Sequence, residues 1–504
     1  MSKLSLPILS RSAPNRWLVL MSVMMAFLPI VLDVTILHVA VPSLTLALQA
    51  TGTEVLWIID IYPLLMASLL IPMGTLADRV GHRCMLLIGL AIFCTGSILA
   101  AFAPSAVALI GARAFMAVGA AMVMPCTLAI VRQTFADEGE RAIALGIWGA
   151  VASAGAAIGP LAGGALLEHF WWGSVFLVNV PVMLAVIPLV VAYIPRRPAV
   201  EGGNWTIGQA LMLILGIMAS VYALKSAFKT GGSLAQTMAC FSFGLLMLGW
   251  FVRKQLRAPN PMLDLSLFAI PAISAGVTMA IVVMGALAGV ELMLAQELQF
   301  VLGRTPLEAG IFMLPLMVAS AIGGPLSGMI LGAVGLRWVA CGSLMLSASS
   351  LVGLALTGLD NAGVSVVLML ATLGLSLSVG LTASSVAIMS STPVEKAGAA
   401  GALEATSYDL GSGLGITAFG ILLASTYERS IQLPGDIPAA MAEAATRSIG
   451  ETMIAASALG GDRGQQLMAA GQAAFSTSHS MVLLSAAALM GVLSLVLVFV
   501  LRRQ

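Results

Sequence analysis

Fourteen apolar runs follow one another along the 504 residues, each long enough to cross a bilayer as a helix of ~20 residues. They lie near 17–40, 54–75, 84–102, 106–130, 143–166, 173–194, 206–224, 234–252, 273–296, 308–331, 338–357, 363–389, 398–424 and 480–501. Inside hydrocarbon every backbone polar group must find its partner within the protein, which only helices and closed barrels achieve. Runs of this length therefore predict an all-α membrane protein. With 60% of residues hydrophobic and 9% charged, the chain has too little polar surface to clothe a water-soluble fold. The linkers are short except for 425–479, where Pro434 and Pro438 precede a helix-like stretch at 439–458. Gly460 and Gly461 separate it from a second such stretch at 463–475, which predicts a helical hairpin flanking the membrane. The run that begins at Trp17 is longer than a signal-peptide core and is expected to remain as the first span.

Basic residues orient the spans. With both termini cytoplasmic, sixteen of the 23 Lys and Arg fall on the inner side, among them Lys3, Arg11, Arg16, Arg79, Arg83, Arg132, Arg141 and Arg197. Six fall outside (Lys225, Lys229, Arg304, Arg429, Arg447, Arg463), and Arg113 lies within a span. Losing one span would scramble this asymmetry. The net charge of +1 argues against nucleic acid as a partner; membrane lipids and small solutes are expected, and a monomer. Five scattered cysteines without metal-ligand spacing read as small core residues. No G-x-x-x-x-G-K-[ST] loop, nucleophile–base pair or metal cluster is evident, so neither an enzyme nor a bound cofactor or metal is expected.

Five acids interrupt the apolar runs: Asp33, Asp60, Glu291, Glu404 and Asp409. A carboxylate at mid-membrane costs roughly 2.5–3.5 kcal/mol, so such residues face a protein-lined cavity and have work there. Carboxylates hold a proton or a cation and exchange one for the other. At ~1.5 Å rise per residue, Asp33, Asp60, Arg113 and Glu291 come to similar depths in the outer half. Asp409 lies nearer the midplane, with Glu404 below it. A movable Asp33–Arg113 pair would shift proton affinity, because burial raises and a guanidinium lowers a carboxylate's pKa; a static ion pair is the alternative. Asp60, Glu404 and Asp409 are candidates for a cation site, with Trp57, Tyr62 and Tyr408 as aromatic walls and Glu291 as a further candidate. Glu404 read as a packing brace, Glu291 as reaching the outer headgroups and His38 as a satisfied core residue or a proton relay all stay open.

The loop after the second span reads Gly74-Thr-Leu-Ala-Asp78-Arg79-Val-Gly81-His-Arg83 and resembles the gating-loop signature of the major facilitator superfamily. Gly74 is expected to let helices approach, Gly81 to permit a bend, and Asp78 to pair with nearby arginines when the cytoplasmic side is shut. A degraded echo, Pro325-Leu-Ser-Gly328-Met-Ile-Leu-Gly332-Ala-Val-Gly335-Leu-Arg337, suggests a repeat of two six-helix halves. The fifth run carries Gly155, Gly159, Pro160, Gly163 and Gly164, similar to the superfamily's antiporter motif; a generic small-residue packing face is the alternative.

Leu32-Asp33-Val-Thr35-Ile-Leu-His38-Val-Ala-Val-Pro42, with His38 where Asn is usual, resembles the fourteen-span drug:proton antiporter branch. So does Phe176-Leu-Val-Asn179-Val-Pro181. Trp57-Ile-Ile-Asp60-Ile-Tyr62, Glu404-Ala-Thr-Ser-Tyr408-Asp409-Leu-Gly411 and the long loop before the last span look like its subgroup for quaternary ammonium compounds and methyl viologen. One departure is Arg113-Ala-Phe-Met116-Ala117, where Met and Ala replace the usual Gln and Gly.

The resemblance implies a major facilitator fold: an N-terminal six-helix bundle (1–195), two inserted helices with linkers (196–260) and a C-terminal six-helix bundle (261–504) that includes the 425–479 loop. It implies a proton-coupled efflux pump for lipophilic cations in a bacterial inner membrane. Export of another metabolite or amino acid, or a non-transporting sensor on the same scaffold, are the alternatives.

Overall fold

The computed structural model describes residues 15–196, 207–227, 233–258, 261–359, 363–393, 396–435 and 437–503. Lys3, Arg11, Arg197 and Lys229 of the charge census lie outside them. Among the described residues fourteen helices are long and apolar enough to cross a membrane. The first half holds α1 (Arg16–Leu48), α2 (Gly52–Val80), α3 (His82–Ala101), α4 (Ala106–Thr134) and α5 (Glu138–His169). A sixth span follows, broken into α6 (Ser174–Leu177) and α7 (Asn179–Tyr193). Next come the inserted α8 (Ile207–Ala227) and α9 (Leu234–Arg257). The second half holds α10 (Pro271–Gln296), α11 (Pro306–Val334), α12 (Leu336–Thr357), α13 (Val364–Ser390) and α14 (Ala397–Ser430). The short α15 (Ala439–Ala445) and α16 (Ile449–Leu459) then precede α17 (Gly461–Val500).

The alternation of spans puts Arg79, Arg83, Arg132, Arg141, Arg253, Lys254, Arg257, Arg337 and Lys396 at one end of the bundle, termed the basic face. The two halves carry the same local signals. Thr51 and Glu54 form a capping box that starts α2, and Thr305 and Glu308 form one that starts α11. Each helix ends on a glycine with positive φ, Gly81 at 95° and Gly335 at 86°, a conformation that side chains with a Cβ rarely adopt. The echo of the gating loop is thus one end of a longer repeat.

Two elements differ from expectation. Helix α1 runs to Leu48, past Pro42, because the bundle around it tolerates an internal proline. Residues 463–475 pack on α16 as the expected hairpin arm but do not form a helix of their own. Nothing between Phe475 and Ser480 breaks a helix, so the stretch is continuous with the last span in the 40-residue α17. The short α16 folds back on its start through the turn at Gly460, φ 63°.

The halves meet along two seams. In α5, Cβ atoms at Gly155, Gly159 and Gly163 would run into Val31, Thr35 and Ile36 of α1, so these glycines set the close approach inside the first half. Gly164 instead faces the backbone of Leu307 in α11, and Gly310 faces the Pro160 carbonyl. Across the second seam, α14 sets Gly413 against Leu64 and Gly420 against Leu56 of α2. The Gly164 and Gly420 contacts lie in the half away from the basic face.

At the basic face Lys396 lies 2.7 Å from Asp264 and ties the start of α14 to the segment before α10. The Lys396 ammonium and the Ser266 hydroxyl hold the Asp264 carboxyl below the usual carboxylate range. A lowered folded-state pKa stabilises above the unfolded value of about 3.9 and is lost as pH falls through the folded value. Asp264→Asn is expected to cost under ~1 kcal/mol at pH 7, as for other partly exposed pairs, and nothing once wild type is itself protonated. Thermal melts in detergent across pH check this.

Candidate functional site

Among the described residues, carboxylates within the membrane spans meet basic side chains at four places. In the first half, Arg113 of α4 donates from Nη1 to Asp33 Oδ2 of α1 at 2.9 Å, both side chains 1% exposed. Asn179, at the start of α7, donates to Asp33 Oδ1 at 3.4 Å and to Ser97 at 3.5 Å. The break between α6 and α7 delivers this amide to the pair. The Arg113 guanidinium also lies 4.8 Å from the Tyr62 ring and 5.9 Å from the Phe176 ring. Met116, where the branch has Gln, is fully buried, and a Cβ at Gly96 of α3 would lie 2.6 Å from its Cγ. An apolar packing contact has replaced the amide.

The second place corrects the reading of the inserted helices. Lys225, assigned to an outer loop by charge counting, is a buried residue of α8, and its ammonium lies 2.6 Å from Asp60 Oδ2. Thr417 of α14 donates to the same oxygen at 2.6 Å. The Lys225 ammonium also sits 3.8 Å from the centre of the Trp57 ring. Asp60 and Trp57 are therefore together, as expected, but occupied by a cation of the chain itself. Tyr62 turns away from them to Arg113.

At the third place Glu291 of α10 does not reach a headgroup region. It is buried, with Oε2 3.1 Å from His38 Nδ1 of α1, across the junction of the halves. At the fourth, Glu297 opens the π-helical turn Glu297–Val301; Ser476 donates to it at 2.5 Å, and His479 lies 3.4 Å away. Glu297, Asn179 and Lys225 were missed from sequence as site residues.

The remaining two candidates stand apart from Asp60. Tyr408 donates to Glu404 Oε1 at 2.8 Å, one turn along the same helix. Asp409 Oδ2 is buried and accepts no hydrogen bond. The six residues proposed for one cation cage thus occupy separate places: Trp57 and Asp60, Tyr62 by Arg113, Glu404 with Tyr408, and Asp409.

The gating loop differs from expectation at Gly74. Asp78 lies 3.2 Å from His82, four residues on. Arg83 donates to the Val191 carbonyl at 2.6 Å. Gly74 does not enforce close approach, since a Cβ there would meet Pro125 at an ordinary 3.5 Å.

A cavity of about 300 Å³ lies between the halves on the side away from the basic face. Leu56, Ile416 and Phe419 give it apolar walls, and Lys225 lies at its edge. The α15–α16 segment covers it. Glu451 accepts a hydrogen bond from the Gly52 amide at 2.9 Å, and a Cβ on Gly450 would strike Thr45. Tyr427 and Thr452 hold this cover to the second half through a 2.6 Å hydroxyl pair. Replacing Tyr427 with Phe is expected to cost ~1 kcal/mol, read as a small fall in the melting temperature.

Two pseudo-repeated six-helix bundles, two inserted helices and charged residues paired in their interior define a multi-pass membrane transporter, not an enzyme. A family model for the Major Facilitator Superfamily matches residues 23–416, and the chain belongs to that superfamily. Methyl viologen resistance protein SmvA of Salmonella typhimurium is 45% identical over 478 residues, 94% of this chain and 96% of that protein. Multidrug efflux pump LfrA of Mycolicibacterium smegmatis is 40% identical over 318 residues, 63% of each chain. Among solved structures, a bacterial homolog of the human lysosomal transporter Spinster, inward-facing and unoccupied, matches with a TM-score of 0.68. That match covers 97% of this chain and 98% of the other at 17% identity, a likeness of fold alone.

Proposed function

We propose that the chain is a proton-coupled efflux antiporter of the bacterial inner membrane that exports lipophilic cations by alternating access. Its termini and basic face are cytoplasmic, and the units 1–195, 196–260 and 261–504 are its two bundles and the insertion. The carrying observation is the buried Asp33–Arg113 pair, which the Asn179 amide also meets. A carboxylate held by a guanidinium in a dry site binds a proton only when that partner moves away, which makes proton uptake depend on how the bundles stand. A cationic guest needs a negative group to offset its desolvation and an apolar wall for its body. Asp60, beside the cavity-lining Lys225, supplies the charge, and Leu56, Ile416 and Phe419 the wall. The relatives named for methyl viologen resistance and multidrug efflux support this substrate class.

Protons entering supply the drive, since a membrane potential provides ~2.3 kcal/mol per charge per 100 mV. Ethidium and methyl viologen efflux from energised cells, with and without an uncoupler, tests the reading. Expression is expected to speed efflux and an uncoupler to abolish the gain. Efflux indifferent to the uncoupler would contradict proton coupling.

A further inference from the structure

Helix α8 is largely apolar and only partly covered by the bundle, so an ammonium on it has to be accounted for. A lysine this near a helix end ordinarily extends to the membrane surface, where its charge stays in water. Lys225 instead turns inward, is 6% exposed, and meets both a carboxylate and an aromatic face. Those are the two groups that recognise an organic cation: a counter-charge 2.6 Å away and a ring centre 3.8 Å away. Beside the ammonium lies the cavity of about 300 Å³, whose apolar stretch of Leu56, Ile416 and Phe419 offers space for the body of such a guest. The second oxygen of Asp60 is buried and accepts no hydrogen bond.

We propose that Lys225 is a tethered ammonium occupying the subsite formed by Asp60 and Trp57, and that an exported cation enters this subsite by displacing it. The inference rests on reading Asp60 as a substrate site. It gives the inserted helices a part in transport. Lys225 keeps the carboxylate neutralised while no guest is bound, and a guest must compete with it. Selectivity follows: a weakly solvated quaternary cation with an aromatic or apolar body gains the cavity wall as well as the charge, and outcompetes lysine. A small hydrated cation gains only the charge and does not.

The test is tetraphenylphosphonium binding to purified full-length protein in detergent at pH 8.5, read by calorimetry. Lys225→Gln and Lys225→Ala are each expected to bind at least tenfold more tightly than wild type. Lys225→Arg, which keeps a resident charge, is expected to stay within threefold. Asp60→Asn is expected to bind weakly, and Asp60→Asn with Lys225→Gln no better. If Asp60→Asn weakens binding while both neutral lysine variants bind no more tightly than wild type, the tethered-cation role is overturned and the substrate site stands. If Asp60→Asn binds as wild type does, the reading of Asp60 itself fails. Should the neutral variants not fold, wild type decides. Tetraphenylphosphonium is expected to raise reductive methylation of Lys225, followed by mass spectrometry, and unchanged or reduced methylation overturns the displacement.

Discussion

Asp33→Asn is expected to abolish proton-coupled efflux, lowering the rate at least tenfold, while the protein still reaches the membrane. Asparagine has the shape of a protonated aspartate and cannot lose a proton, so the site is fixed in one protonation state. The fold is expected to survive, because the amide oxygen still accepts from Arg113 Nη1, now 2.9 Å from the carboxylate. Arg113→Ala is harsher. It leaves an unpaired acid in a dry site, a change that typically costs ~3–5 kcal/mol, and removes the cation packed against Tyr62 and Phe176. Lysine is no substitute at Arg113, because the flat guanidinium face against two rings is lost. Substrate-driven proton movement in proteoliposomes separates the cases. Wild-type rates in Asp33→Asn would remove this residue from the coupling mechanism.

Gly164→Val is the second large effect. A Cβ at Gly164 would stand 2.6 Å from Leu307 Cα and 2.7 Å from the Pro306 carbonyl, against an ordinary contact of 3.4 Å or more. Both obstacles are backbone, so no side-chain rotation relieves them and α5 must move away from α11. Interfaces of this kind have discrete packed states, so a small separation favours the arrangement in which the mouth away from the basic face is parted. Ethidium efflux is expected to fall at least tenfold. A cysteine replacing Phe419 in the cavity wall, in a chain without its five natural cysteines, is expected to react faster with an impermeant maleimide. Unimpaired efflux would mean that this seam does not need to close.

Much of the architecture was legible because hydrocarbon leaves so few choices: long apolar runs separated by short charged linkers define the spans. Asp33 and Arg113 were legible as partners because each is too costly to bury alone, and depth counting put them level. Lys225 was not. It lies near the end of an apolar run, where a lysine ordinarily belongs to the surface, and only the packing of α8 on α2 turns it onto Asp60. Asn179 was visible as part of a motif, but its amide reaches Asp33 only because the sixth span breaks at Val178. The two capping boxes, each thirty residues before its positive-φ glycine, were a detectable repeat signal that the gating-loop echo overshadowed. Pairs that cross between the halves, such as His38 with Glu291, depend on how two bundles dock, which no local pattern encodes.

Everything turns on whether a bound guest and a bound proton exclude each other. Mixing tetraphenylphosphonium with purified protein in weakly buffered detergent, with a pH-sensitive dye, reads this directly. Protons are expected to appear as the cation binds to wild type, and the signal to shrink sharply in Asp33→Asn. Binding that releases no protons from wild type would contradict the exchange.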